Sequence, residues 1–264
     1  MSIDLTANCV AHYKMNDNAA SAVVIDSQGF SNGTAQQNTN LLDTVGKVGG
    51  ALTFNGASDY VETTLLATNF QDSFSINLWC KPNDGQPVIS NPLFGMGNTP
   101  QAHSCYIGLT TEGRVYFSLD DATMQSLVLT SGILFSNGTQ AWNMLTFVVE
   151  ETTGSTATVY LYLNGTFIAN VINDNVMDSF LGLNPRIGRG RIGGVYNYFA
   201  GSIDNVMIFN KALSAEEITY LYNFGLGTEA LAESYDDIID EAIFDTVNGI
   251  SFTEGTSVEG VFFL

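Results

Sequence analysis

The sequence predicts an all-β antiparallel sandwich, and three features carry that reading. Short stretches with alternating apolar and polar residues recur along most of the chain, and Gly-, Asn- and Ser-rich breaks separate them at regular spacing. The composition, 45% apolar and 13% charged over 264 residues, suits one ordered domain with a sizeable core. Beyond this repeating part the chain turns to one short helical stretch and an acidic extension.

Taken in order, residues 6–15 read as a first strand that leaves Asp17 at its exit, followed by DSQGFSNGT at 26–34, a loop of turn-forming residues. Residues 51–54 and 60–63 read as two strands of a hairpin about NGASD, with Asn55-Gly56 supplying the positive backbone angle of a tight turn. Residues 74–81 alternate and stop at Pro82, which has no amide to give to a ladder. Residues 106–110 and 114–119 pair about Glu112-Gly113, and 143–150, 157–163 and 166–170 continue the meander, the last two joined by Asn164-Gly165. The NGT triplets at Asn32, Asn137 and Asn164 also fit a glycosylation sequon, but turn chemistry accounts for them.

The stretch FAGSIDNVMIFNKALSAEE, 199–217, is a long strand, a turn and a short helix. Strict alternation places Asp204 beside Val206 and Ile208 on one face, with Asn205, Met207 and Phe209 on the other. A carboxylate in a core-facing row needs a partner, and Lys and Arg are scarce, so a bound cation is expected there. Ser214 and Glu217 stand in S-x-x-E order, which predicts a capping box and a helix running to about Tyr222.

From Thr228 the composition shifts: no Lys or Arg follows Lys211, while carboxylates continue to Glu259. The domain is therefore expected to occupy residues 1–227. Residues 228–264 are read as an acidic C-terminal extension that docks on the domain, on a protein partner or on another copy. Helical spacing predicts a helix over 229–243, and Asn248-Gly249 a hairpin turn.

The formal net charge of −19 argues against sequence-independent binding to nucleic acid or to an anionic membrane, both of which need clustered cations. No apolar run has the length of a membrane span, and the first residues lack the basic and apolar regions of a secretory leader. The 3 cysteines, Cys9, Cys80 and Cys105, are odd in number and widely spaced, which predicts reduced, packed side chains.

The words GSIDNVMIFNKALSAEEI (201–218), VAHYKMND (10–17), VIDSQG (24–29), GKVGGALTFNG (46–56), FSINLWCKP (74–82), AWNMLTFVVE (141–150), VYLYLNGTFIA (159–169) and PRIGRG (185–190) appear in an order that resembles the laminin-G-like domains of bacterial and viral type. These are concanavalin A-like jelly rolls, and the resemblance covers roughly residues 8–224. It implies a calcium ion between the early D-S-x-G loop and the Asp of the closing G-x-I-D word. The matching positions are Asp26 and Asp204, with Asn32 as a carbonyl donor and Asp17 as a further candidate. The alternative is that Asp26 caps its own turn and Asp204 accepts backbone amides.

A second candidate site is PRIGRGRIGGVYNYF, 185–199. Arg186, Arg189 and Arg191 are followed at once by Tyr196 and Tyr198, a set that can grip a carboxylate or sulfate and stack on a sugar ring. Its alternative is local charge balance with ordinary loop aromatics. Trp79 and Trp142 lie in strand words and are expected in the core.

Catalytic signals are poor. The E-x-D-x-x-E word of jelly-roll glucanases is absent. Glu150-Glu151, Asp120-Asp121 and Glu216-Glu217 are adjacent pairs that point apart or lie on the helix. Gln101-Ala102-His103 echoes one word of similar alginate lyases, but the lysine of their second word is missing.

The sequence thus favours a non-catalytic structural or decoration component of a virus or phage particle, with a virion or extracellular location. The missing leader, the acidic extension and the apolar outer row of the closing strand motivate it. The alternative is a carbohydrate-binding, lectin-like adhesion module, and a polysaccharide lyase or glycosidase is the remote one.

Overall fold

The structure is a computed structural model, and it describes residues 2–70, 72–96, 104–120, 126–151, 156–173, 184–192 and 195–233. Two eight-stranded antiparallel sheets face one another. Numbered along the chain, the first sheet runs β14 (Thr166–Asn173), β13 (Ala157–Leu163), β12 (Asn143–Glu151), β7 (Phe74–Pro82), β18 (Ala200–Phe209), β5 (Gly50–Asn55), β4 (Asp43–Val45), with β1 (Cys9–Tyr13) beside the second half of β18. The second runs β11 (Ser126–Ile133), β10 (Arg114–Asp120), β9 (Ser104–Leu109), β8 (Asn91–Met96), β15 (Arg186–Ile187), β6 (Val61–Thr63), β3 (Gly33–Ala35), β2 (Val23–Val24). A separate ribbon pairs β16 (Arg189–Ile192) with β17 (Val195–Tyr198).

The space between the sheets is filled by the apolar alternates of both, including Phe54, Phe74, Phe94, Phe117 and Phe147, together with Phe70 and Phe199 from the connections. Fully burying each such ring is worth about 1.5–3 kcal/mol. A second apolar layer lies on the outside of the first sheet. There Trp79, Met144, Val148, Met207 and Phe209 are covered by Leu5, Leu213 and the Ile218/Leu221 stripe of α1 (Ala215–Tyr222). The capping box is in place: the Glu217 amide donates to Ser214 Oγ at 3.2 Å, and the Ser214 amide to Glu217 Oε2 at 2.8 Å.

Four expectations are corrected by the chain's geometry. β18 does not alternate strictly. Its register against β7 shifts between Asp204 and Met207, and Asn205 takes a left-handed φ of 49°. This bulge inserts one residue, so Ile203, Val206 and Ile208 face the inter-sheet core, while Asp204 does not share their face. The outer row that invited a foreign cover is covered by the chain's own helix.

NGASD does not close a hairpin: β5 pairs with β4 and β18 and β6 with β3 and β15, so the link crosses between sheets. Asn55 Oδ1 accepts the amides of Ala57, Ser58 and Asp59, which tightens that crossing.

Finally, residues 229–233 are not helical. Their backbone groups are taken by the N-terminal segment: Leu5 donates to the Leu231 carbonyl, Glu233 donates to the Ile3 carbonyl, and Asp4 bridges Ala232. The rest of the expected helix and the Asn248-Gly249 turn lie outside the described residues, as does the Gln101/His103 word.

Candidate functional site

The Arg/Tyr stretch is built on close backbone packing. After β15 the chain turns at Gly188, whose φ is +80° and whose missing Cβ leaves room for Phe54. β16 then lies across β8, an approach open only because Gly95 and Gly190 have no side chains: a Cβ at Gly190 would sit 2.9 Å from the Tyr106 ring. On the ribbon Arg189 is paired directly with Tyr198, and Tyr196 lies two residues before Tyr198 on the same strand, which places Arg189, Tyr196 and Tyr198 on one face.

Of the three arginines, two are described in full, and they differ. Arg186 is buried and spent on structure, its Nη2 2.9 Å from Glu62 Oε1 across the β15–β6 pair. Arg189 lies among rings, its guanidinium carbon 3.8 Å from the centre of Tyr196, 4.5 Å from Tyr60 and 5.5 Å from Tyr198. Tyr60 and Tyr198 also pack on one another, at 6.1 Å. Arg189 Nε is buried without a hydrogen-bond partner, and among the described residues Arg189 has no ion pair. The side chain of Arg191 lies outside the described residues. Tyr60 is the residue that sequence reasoning missed: it enters from the start of β6, far from the motif, and no local pattern marks it.

The four candidate calcium ligands are placed as follows. Asp26 receives four backbone amides, from His12 and Gln28 on Oδ1 and from Phe30 and Ser31 on Oδ2. Asn32 Oδ1 accepts the Asp26 amide, and Asp17 Oδ1 the Ile25 amide. Asp204 Oδ2 accepts the amides of Lys47 and Val48 at 2.6 and 2.9 Å, while its Oδ1 is buried with no partner. Calcium wants about six to eight oxygens, and the Asp26 carboxylate is already filled by four amides, while Asn32 Oδ1 is engaged by one. Among the described residues no group of three or more His, Cys, Asp or Glu is placed to hold a metal ion. This donor set does not fit the ion.

What the closing strand forms instead is a polar junction. His12 Nε2 lies 2.7 Å from Asn205 Oδ1, and Asn205 Nδ2 donates to the Thr228 carbonyl. Glu229 takes Lys14 Nζ at 2.8 Å and Asn16 Nδ2 at 2.6 Å. Burial pushes the Asp204 carboxyl up to about 7, against the lowering effect of its Val48 and Lys47 amides. Burial also holds His12 below its ordinary value. Cys9, Cys80 and Cys105 are buried thiols outside any disulfide, and burial raises Cys9 and Cys80 to about 12, which leaves these two inert as nucleophiles.

These features define a lectin-like jelly roll in which Arg189 stacks among Tyr60, Tyr196 and Tyr198. The chain belongs to the concanavalin A-like lectin/glucanases superfamily, whose laminin-G type model matches residues 55–219. It is similar to domain 4 of AbnA, an extracellular arabinanase from Geobacillus stearothermophilus solved in complex with arabinotriose, at 20% identity and TM-score 0.57, covering 84% of this chain and 98% of that one. It is similar too to the receptor-binding domain of botulinum neurotoxin C/D mosaic serotype, at 13% identity and TM-score 0.61, covering 83% of this chain and 52% of that one. The binding domain of botulinum neurotoxin DC in complex with rat synaptotagmin II matches at 16% identity and TM-score 0.58, over 84% and 52%. The chain thus spans about half the length of these toxin domains. At such identities the likeness establishes the fold. No curated protein matches the sequence.

Proposed function

We propose that this chain is a non-catalytic carbohydrate-binding module of lectin-like type, acting at an extracellular or virion surface, with the Arg189 ribbon as its ligand surface. The observation that carries the reading is the setting of Arg189. It is a cation in a protein of net charge −19, yet it stacks against Tyr196, Tyr60 and Tyr198 and has no carboxylate partner among the described residues. Rings and a fixed guanidinium on one face suit a sugar, whose C–H surfaces stack on rings and whose oxygens accept from the fork. The arabinotriose complex of the similar arabinanase domain supports a sugar as ligand. The particle-component reading draws no support from these comparisons, and the outer row that motivated it is occupied by α1.

A glycan array tests the proposal. The intact chain is expected to retain at least one oligosaccharide, and Arg189→Ala and Tyr198→Ala each to weaken that retention at least tenfold without lowering the melting temperature by more than a few degrees. Retention unchanged in both variants would remove the site.

A further inference from the structure

We infer that the outer face of β13 and β14 is a second sugar-binding surface, a shelf formed by Tyr160, Tyr162 and Phe167 that takes a neutral oligosaccharide. It extends the carbohydrate-binding reading to a face separate from the Arg189 ribbon, which lies against β8 of the other sheet.

The register builds the shelf. Tyr160 and Tyr162 alternate with the core residues Val159 and Leu161, so both point outward, and the shift between Leu161 and Tyr162 brings Phe167 opposite Tyr162 on the edge strand. The Phe167 ring stands 5.7 Å from Tyr162 at 71° and 6.5 Å from Tyr160 at 60°. The rings therefore meet as floor and wall, not as a closed stack. Phe167 is 50% exposed, and Ile172, farther along the same edge, is 63% exposed. The inner sides of Tyr160 and Tyr162 rest on the layer under α1, which fixes them.

The polar groups decide the occupant. The Tyr160 hydroxyl donates to Glu150 Oε2 at 3.1 Å, and Asn170, paired with Tyr160 across the strands, is exposed. An apolar protein face laid over the shelf would remove the Glu150 carboxylate and the Asn170 amide from water and offer them no hydrogen bond of its own, at a desolvation cost. A sugar ring offers hydroxyls to both while its C–H face covers the rings. The charged group bonded into the shelf is a carboxylate and the chain carries −19, so a uronate or sulfated sugar is repelled. The ligand class is a neutral, hydroxyl-rich oligosaccharide.

Titration calorimetry on the full chain tests this, with arabinotriose and neutral xylo- and gluco-oligosaccharides as probes, beside a uronate-containing oligosaccharide. Phe167→Ala and Tyr162→Ala are expected to weaken a neutral probe at least tenfold with unchanged melting and Tyr162→Phe to hold it within a few-fold, and in an Arg189→Ala background, with the ribbon removed, Phe167→Ala is expected to cause the same loss. Equal affinity in Phe167→Ala and the intact chain, or binding confined to the uronate probe, would overturn the shelf. If Arg189→Ala alone abolishes binding, the shelf falls and the ribbon reading stands. If no probe binds the intact chain, the shelf falls with it.

Discussion

At Asp204 a buried carboxylate oxygen without a partner sits directly across the strands from Trp79, whose indole Nε1 is buried and unpartnered as well. Burial is the dominant effect on this group, and it raises the carboxyl from 3.8 to about 7. The folded chain therefore holds this proton more tightly than the unfolded chain does. The stabilisation it gives is complete below pH 3.8 and is lost as pH rises through about 7. Asp204→Asn should flatten stability between those limits and raise the melting temperature at pH 8 relative to the parent. An unchanged difference between the two proteins from pH 4 to pH 8 would show that Asp204 does not titrate in that window. Because four backbone amides fill the Asp26 carboxylate, the melting temperature is expected to be the same with a chelator as with millimolar calcium. A drop on chelation would restore the metal reading. The words flanking Asp204 were legible in the sequence, glycine included: a Cβ at Gly201 would run into the Lys81 carbonyl. The saturation of Asp26 was not, because its donors are backbone amides, and amides leave no mark in residue type.

The elements show where period-two reading holds and where it stops. β7, β12 and β13 alternate as written, and the capping box of α1 stands on Ser214 and Glu217 as their spacing requires. β18 breaks the pattern at Asn205, and one inserted residue moves Asp204 off the face of Val206 and Ile208. Asn tolerates a left-handed φ, but an Asn inside an apolar run gives no sign of which residue bulges. α1 matters beyond its length because it seals Met207 and Phe209. Ser214→Ala removes the cap and should cost about 1 kcal/mol, which at this size lowers the melting temperature by about 2–4 °C. A thermal melt checks it, and no shift would mean that packing of Ile218 and Leu221 alone holds the helix.

Across the whole molecule, the decisive contacts join segments that are distant in sequence. Arg189 meets Tyr60, Arg186 meets Glu62, and Asn205 meets Thr228 with His12 behind it. The alternating strands and turn residues made the sandwich legible, but a partner set assembled by sheet order is not written in any window of the chain. The start of the acidic extension belongs to this level too. Residues 228–233 run against 3–5, Leu231 packs on the layer under α1, and Glu229 pairs with Lys14. Truncation after Gly227 should therefore lower the melting temperature, by about 2–4 °C for each kcal/mol lost. An unaltered melt would mean that these contacts are marginal in solution.

The account rests on a jelly roll that holds a sugar and does not change it, and incubating the purified chain with an oligosaccharide array, then analysing the recovered sugars, addresses both halves at once. The predicted result is at least one oligosaccharide retained and recovered intact; retention of none, or recovery of shortened or unsaturated products, would contradict it.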